Sequence, residues 1–233
     1  MGQQSKVVER ELSLRAADGV QAPAFVAEPA GASGAPRVVI APEIFGLTPW
    51  IKAVARRLAR EGFRAVAPEI FARDPQPLGA DRASWMNRMR RLDVGQAVRD
   101  LRAGLDHLEP GPSACIGFCL GGALCVLLAA GGNLESAVDC YGRIRWLDGM
   151  TAENAIAAAK RIRCPMLAIY GRRDAGIPVA DAEALAGLLP PKSELALYEA
   201  GHAFLNDTRP DMYVADQADL AWAKIVGFLR RTL

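Results

Sequence analysis

The chain has 233 residues, 51% apolar and 23% charged, the balance of an ordinary globular protein long enough to bury one sizeable core. Its formal net charge of +2 is too small to draw it to nucleic acid or a membrane surface, so neither partner is expected. The longest apolar run, 123–130, falls far short of a bilayer span.

The N-terminal stretch Met1–Glu11 is polar and carries both signs of charge, without the apolar centre or cleavage site of a secretory signal. Lys6 stands where a myristoylation signal needs Ser or Thr. From Val7 the pattern is that of short strands and longer helices in alternation, which predicts a parallel sheet covered by helices. Val7–Leu14 and Pro23–Ala27 alternate apolar and polar residues and predict an antiparallel opening edge. After the loop Gly31–Pro36, the runs Arg37–Ala41, Arg64–Ala67, Ala114–Gly117, Ser136–Cys140, Met166–Tyr170 and Glu194–Tyr198 are nearly continuously apolar, as expected of strands covered on both faces. A helix is expected from Pro49, capped by Thr48 and ended by Gly62. Further helices are expected over Arg82–Leu108, Gly121–Ala130, Ala180–Leu189 and Ala215–Leu233. Repeats and linker-like tracts are absent from the sequence, which predicts one domain over 1–233.

Five cysteines (Cys115, Cys119, Cys125, Cys140 and Cys164) show no ligand-like spacing. Four lie in apolar runs, where a free thiol behaves as a small hydrophobe, and a reducing cytoplasm is the expected compartment. Cys119 differs. It sits in Gly117-Phe118-Cys119-Leu120-Gly121, with an apolar strand before it and an apolar helix after it. This is the arrangement of the G-x-S-x-G elbow of α/β-hydrolases, with sulfur in place of the serine oxygen. The pentapeptide alone is equally compatible with simple packing; the flanking strand and helix favour the elbow. A helix N-terminus at that position also favours the thiolate.

A thiol nucleophile needs a base, and the chain has two histidines. His107 ends a helical stretch and reads as a surface residue. His202 follows the last predicted strand, where loops build sites in α/β proteins. An acid is expected after a strand between nucleophile and base, and Asp174 follows Met166–Tyr170 and a glycine turn; its other reading is a turn or cap residue before Pro178. The order Cys119, Asp174, His202 is the nucleophile–acid–base order of α/β-hydrolases. Glu43 follows the third strand, the region that supplies an oxyanion-hole N–H in such folds. It reads either as a solvated loop residue or, if buried near Cys119, as a competitor for the thiol proton.

Together, APEIFGL (41–47), GFRAVAPEIFAR (62–73), GFCLGGAL (117–124), GRRDAGIP (171–178) and AGHAFLND (200–207) resemble the dienelactone hydrolase family in content and order. The resemblance implies an α/β-hydrolase fold and hydrolysis of a lactone or ester, of the carboxymethylenebutenolidase type, through an acyl-enzyme on Cys119. It implies an oxyanion hole from the N–H groups of Leu120 and Ile44, and a Glu43 that holds the thiol quiet until substrate arrives. It also implies substrate contacts from Phe45, Arg82, Trp85 and the residue at position 206. Family members that act on dienelactone bind its carboxylate with two arginines. One corresponds to Arg82; the other falls where this chain has Asn206. Ala203 replaces the family's serine after the histidine, and methionines stand where aromatic residues are expected after Arg82, with Trp85 out of step. A charge-assisted contact is worth about 1.5–3 kcal/mol, so the chemistry carries over more securely than the acidic-lactone specificity. Arg73, Arg88 and Arg209 are candidate replacements among which the sequence does not choose.

Neither metal-ligand spacing nor a dinucleotide fingerprint occurs, so the expected partner is a small lactone or ester with no metal and no organic cofactor. Two other readings stay open: a non-catalytic ligand-binding member of the fold, and a redox thiol paired with Cys125. The arginine-rich helical surface 82–102 marks no dimer patch, and no oligomeric state follows from the sequence.

Overall fold

The computed structural model describes residues 6–16, 18–74 and 76–233; residues 1–5 of the polar N-terminal stretch lie outside them. Eight strands form one sheet in the order β1-β2-β4-β3-β5-β6-β7-β8. The opening hairpin, β1 (Val7–Arg15) and β2 (Gln21–Pro29), is antiparallel, and β2 joins β4 (Arg64–Pro68) antiparallel as well. From there β3 (Arg37–Ala41), β5 (Ser113–Phe118), β6 (Ser136–Cys140), β7 (Met166–Gly171) and β8 (Glu194–Tyr198) run parallel to β4. All eight expected strands are present.

The period of two along a strand divides the interior into two cores. Val38, Ile40, Ala114, Ile116, Val138, Leu167 and Ile169 face α1 (Pro49–Arg60) and α7 (Ala215–Thr232). Val39, Ala41, Cys115, Ala137, Met166 and Ala168 face the helices of the other layer. These are α3 (Val94–His107), α4 (Leu120–Ala130), the short α5 (Ala155–Ala159) and α6 (Val179–Ala186). The apolar runs are explained by coverage of both faces, and the largely exposed β1, in which only Leu14 is buried, by its place on the edge.

Thr48 caps α1 by accepting a hydrogen bond from Ile51 N at 3.3 Å, with Pro49 at the first position. One expectation needs correction. Arg82–Leu108 is not one helix but two, α2 (Arg82–Arg91) and α3, separated at Leu92–Asp93. Asp93 caps α3 by accepting from Gln96 N at 2.8 Å, so a polar cap interrupts a continuous helical period. Among the described residues, no helix is long and apolar enough to cross a membrane.

Candidate active site

The chain turns from β5 into α4 at Cys119, whose φ of 55° and ψ of −117° lie where a residue with a Cβ is strained. The neighbouring glycines make this turn possible. A Cβ on Gly117 would lie 2.0 Å from Gly121 O, and one on Gly121 would lie 2.0 Å from Ala41 O. Strand, elbow and helix thus approach more closely than any side chain allows. The Cys119 N–H donates to Cys140 O at 3.0 Å and fixes the elbow against β6. Cys119 is partly exposed while the other four cysteines are buried. The Cys125 thiol donates to the carbonyls of Cys115 and Val138, both at 3.4 Å.

The loops after β7 and β8 bring an acid and an imidazole to the same end of the sheet. His202 Nδ1 lies 2.7 Å from Asp174 Oδ2, and Asp174 Oδ1 accepts from Gly176 N at 2.8 Å. Cys119 and His202 line the same cavity. Burial pushes the imidazole pKa down, but the neighbouring Cys119 sulfur and the hydrogen-bonded Asp174 carboxylate outweigh it and raise it to about 10. His107 lies at the exposed end of α3, away from these groups.

Glu43 is buried, at 1% exposure, and shares one cavity lining with Cys119 and His202. Its burial outweighs the hydrogen bond from Asn206 and the positive charges of His202 and Arg209, raising its pKa to about 7. Oε2 accepts from Asn206 Nδ2 at 2.8 Å, while the buried Oε1 has no hydrogen-bond partner among the described residues.

The cavity over these groups has a volume of about 500 Å³. Phe45, Arg82 and Trp85 line it, as does Ile44. Asn206 does not: it is 3% exposed, bound to Glu43, and its Oδ1 accepts from Thr208. The position expected to touch substrate supports Glu43 from behind. Of the three candidate replacement arginines, Arg209 lines the cavity, with its guanidinium 5.2 Å from the Phe45 ring centre and 5.7 Å from that of Trp85. Arg73 is bound to Asp18 and Asp100, and Arg88 turns toward the backbone of the Ile44 loop.

Two groups beside the site were not singled out from the sequence. Tyr141, at φ 43°, directly follows β6, and its buried ring lies tilted against that of His202 with centres 5.3 Å apart; its hydroxyl has no hydrogen-bond partner among the described residues. A polar aromatic at the carboxyl end of a central strand was the available signal. Asp139, 1% exposed, accepts from Gly142 N at 2.9 Å and from the Tyr170 hydroxyl at 2.5 Å. It fills the space a Cβ on Gly122 would need, which explains the second glycine of the pair 121–122.

A mostly parallel eight-stranded sheet, an elbow after β5, an acid after β7 and a histidine after β8 define an α/β-hydrolase fold. The model of the dienelactone hydrolase family matches residues 22–233, and the chain belongs to that hydrolase family. It is 30% identical to the carboxymethylenebutenolidase of Pseudomonas putida, over 94% of each chain. It is 33% identical to a Salmonella typhimurium protein provisionally named carboxymethylenebutenolidase, covering 89% of this chain and 82% of that one. A crystal structure from Klebsiella pneumoniae, provisionally assigned as a dienelactone hydrolase, superposes with a TM-score of 0.87 at 29% identity over 96% of this chain and 98% of that chain.

Proposed function

We propose that the chain hydrolyses lactones or esters through a Cys119 acyl-enzyme, with His202 as acid–base and Asp174 as its orienting carboxylate. The observation that carries this reading is the strained, partly exposed Cys119 sharing one cavity lining with His202, whose Nδ1 is held 2.7 Å from Asp174 Oδ2. The thiolate attacks the carbonyl carbon, and the carbonyl π electrons move onto oxygen. The N–H groups of Leu120 and Ile44 receive that charge: Leu120 is the first residue of α4, where N–H groups lack intrahelical acceptors, and the Ile44 N–H makes no hydrogen bond among the described residues. Collapse expels the alkoxide, which takes the imidazolium proton; from a lactone it stays on the acyl chain. His202 then takes a proton from water, which attacks the thioester and returns the thiolate.

Glu43 in this reading restrains the free thiol, because its unpaired Oε1 is a ready acceptor for a thiol proton. Arg82 and Arg209 supply positive charge to the cavity, which supports a substrate bearing a carboxylate even though position 206 is Asn. The test is turnover of p-nitrophenyl acetate by the wild type and by Cys119→Ala and His202→Ala. Each substitution is expected to lower kcat at least a thousandfold, and a chelator to leave the wild type unchanged. Retained turnover in Cys119→Ala would refute the assignment.

A further inference from the structure

The loop that carries the Ile44 N–H is held at several points, and one of them reaches across from the cavity wall. Gly46 N donates to Glu43 O at 2.9 Å, which fixes the peptide plane whose other end is the Ile44 N–H. Leu47 N donates to Glu69 Oε2 at 2.8 Å, and Glu69 Oε1 accepts from Phe71 N at 2.8 Å. On the other side of Ile44, its carbonyl accepts from Arg88 Nη1 at 3.2 Å. Arg88 lies on α2, whose residues Arg82, Trp85, Met86 and Met89 line the cavity.

Arg88 is an unusual residue in this setting. Its side chain is 12% exposed and its guanidinium lies 3.8 Å over the Phe71 ring. Asp74 is 3.7 Å from Nε, too far for a hydrogen bond, and the buried Nε has no acceptor among the described residues. A largely buried cation with so incomplete a set of acceptors is a poor way to stabilise a fold. Helix α2 buries only Met89 fully, so its position depends on such tethers. Trp85, one turn before Arg88, packs edge-on to Phe45 with ring centres 5.2 Å apart, a second contact between the same helix and the same loop.

We propose that Arg88 is a positioning residue that ties the substrate-wall helix α2 to the loop presenting the Ile44 amide, so that this N–H is aimed at the forming oxyanion. The inference rests on the acyl-transfer reading above. It makes a specific separation: Arg88 matters for steps that build negative charge on a carbonyl oxygen and not for the nucleophilicity of the thiolate. Iodoacetamide alkylates Cys119 by displacement of iodide from carbon, with no charge built on oxygen. An aldehyde adds the thiolate to its carbonyl carbon, the carbonyl π electrons move onto oxygen, and the resulting alkoxide, balanced by the imidazolium, accepts from the same N–H groups.

The experiment compares wild type and Arg88→Met, which keeps an apolar stem against Phe71, in three measurements: kcat and KM for p-nitrophenyl acetate, affinity for acetaldehyde as a reversible inhibitor, and the iodoacetamide rate. A kcat lowered about tenfold or more, a parallel loss of aldehyde affinity, KM within about twofold and an unchanged alkylation rate are expected. Arg88→Lys, lacking the planar fork, should recover only part of kcat. If Arg88→Met does not fold, Arg88→Gln, which retains an amide donor, takes its place. An unchanged kcat, or an alkylation rate that falls in step with kcat, overturns the proposal. Wild-type turnover that survives complete alkylation of Cys119 overturns the acyl-transfer reading and the proposal with it, an outcome distinct from failure of the Arg88 variant alone.

Discussion

At the scale of single residues, two buried acids set the site's response to pH. Glu43 holds its proton to about 7 where an ordinary glutamate titrates near 4.5. Between those values the folded protein binds more protons than the unfolded chain, so this residue lowers stability as pH rises. Glu43→Gln keeps an acceptor for Asn206 and is expected to stabilise the fold at pH 8 by up to about 3 kcal/mol and to change little at pH 4, as read by urea unfolding. The same variant should alkylate faster than wild type above pH 7, where Glu43 is charged and repels the thiolate, with the two rates converging below pH 6. Equal iodoacetamide rates across that range would remove Glu43 from the site. Chain order and residue type pointed to Cys119, Asp174 and His202, and the fold brings these three to one cavity lining. The role of position 206 was not legible, since its neighbour Glu43 is 163 residues away in sequence and only folding makes it a partner.

Among the elements, the strands and the elbow could be read directly, because a covered strand must be apolar and the turn at Cys119 tolerates only glycine at 117 and 121. The division of 82–108 into α2 and α3 was missed, although Asp93 followed by Gln96 is itself a capping signal; the helical period running through it masked the break. The Asp139–Tyr170 pair could not be read, because its partners lie 31 residues apart on neighbouring strands and nothing local to either pairs them. It braces the turn after β6, whose Cys140 carbonyl holds Cys119 N, and burial raises the Asp139 pKa to about 6. Tyr170→Phe removes a donor to the charged carboxylate, so it is expected to cost about 1–3 kcal/mol at pH 8. The loss should shrink as pH falls through about 6, where Asp139 takes up its proton. A pH-independent loss in urea unfolding would show that the hydroxyl serves packing alone.

For the molecule as a whole, the family assigns hydrolysis, while the cavity decides what is hydrolysed. Position 206, where the resemblance implied a second arginine, is Asn, and Arg209 lines the cavity three residues later, packed against Phe45 and Trp85. Its approach depends on the path of the 203–214 loop, so no spacing rule could have selected it over Arg73 or Arg88. Arg209→Met is expected to raise KM for a carboxylate-bearing lactone about tenfold or more and to leave KM for a neutral ester within about twofold. Equal effects on both substrates would remove Arg209 from substrate recognition. All of this depends on where the acyl group is carried. The most direct measurement is mass analysis of enzyme quenched during the p-nitrophenyl acetate burst. A single acetyl group on the peptide containing Cys119, absent from Cys119→Ala, is the predicted result. Acetyl on another residue, or turnover with a burst and no label on Cys119, would contradict it.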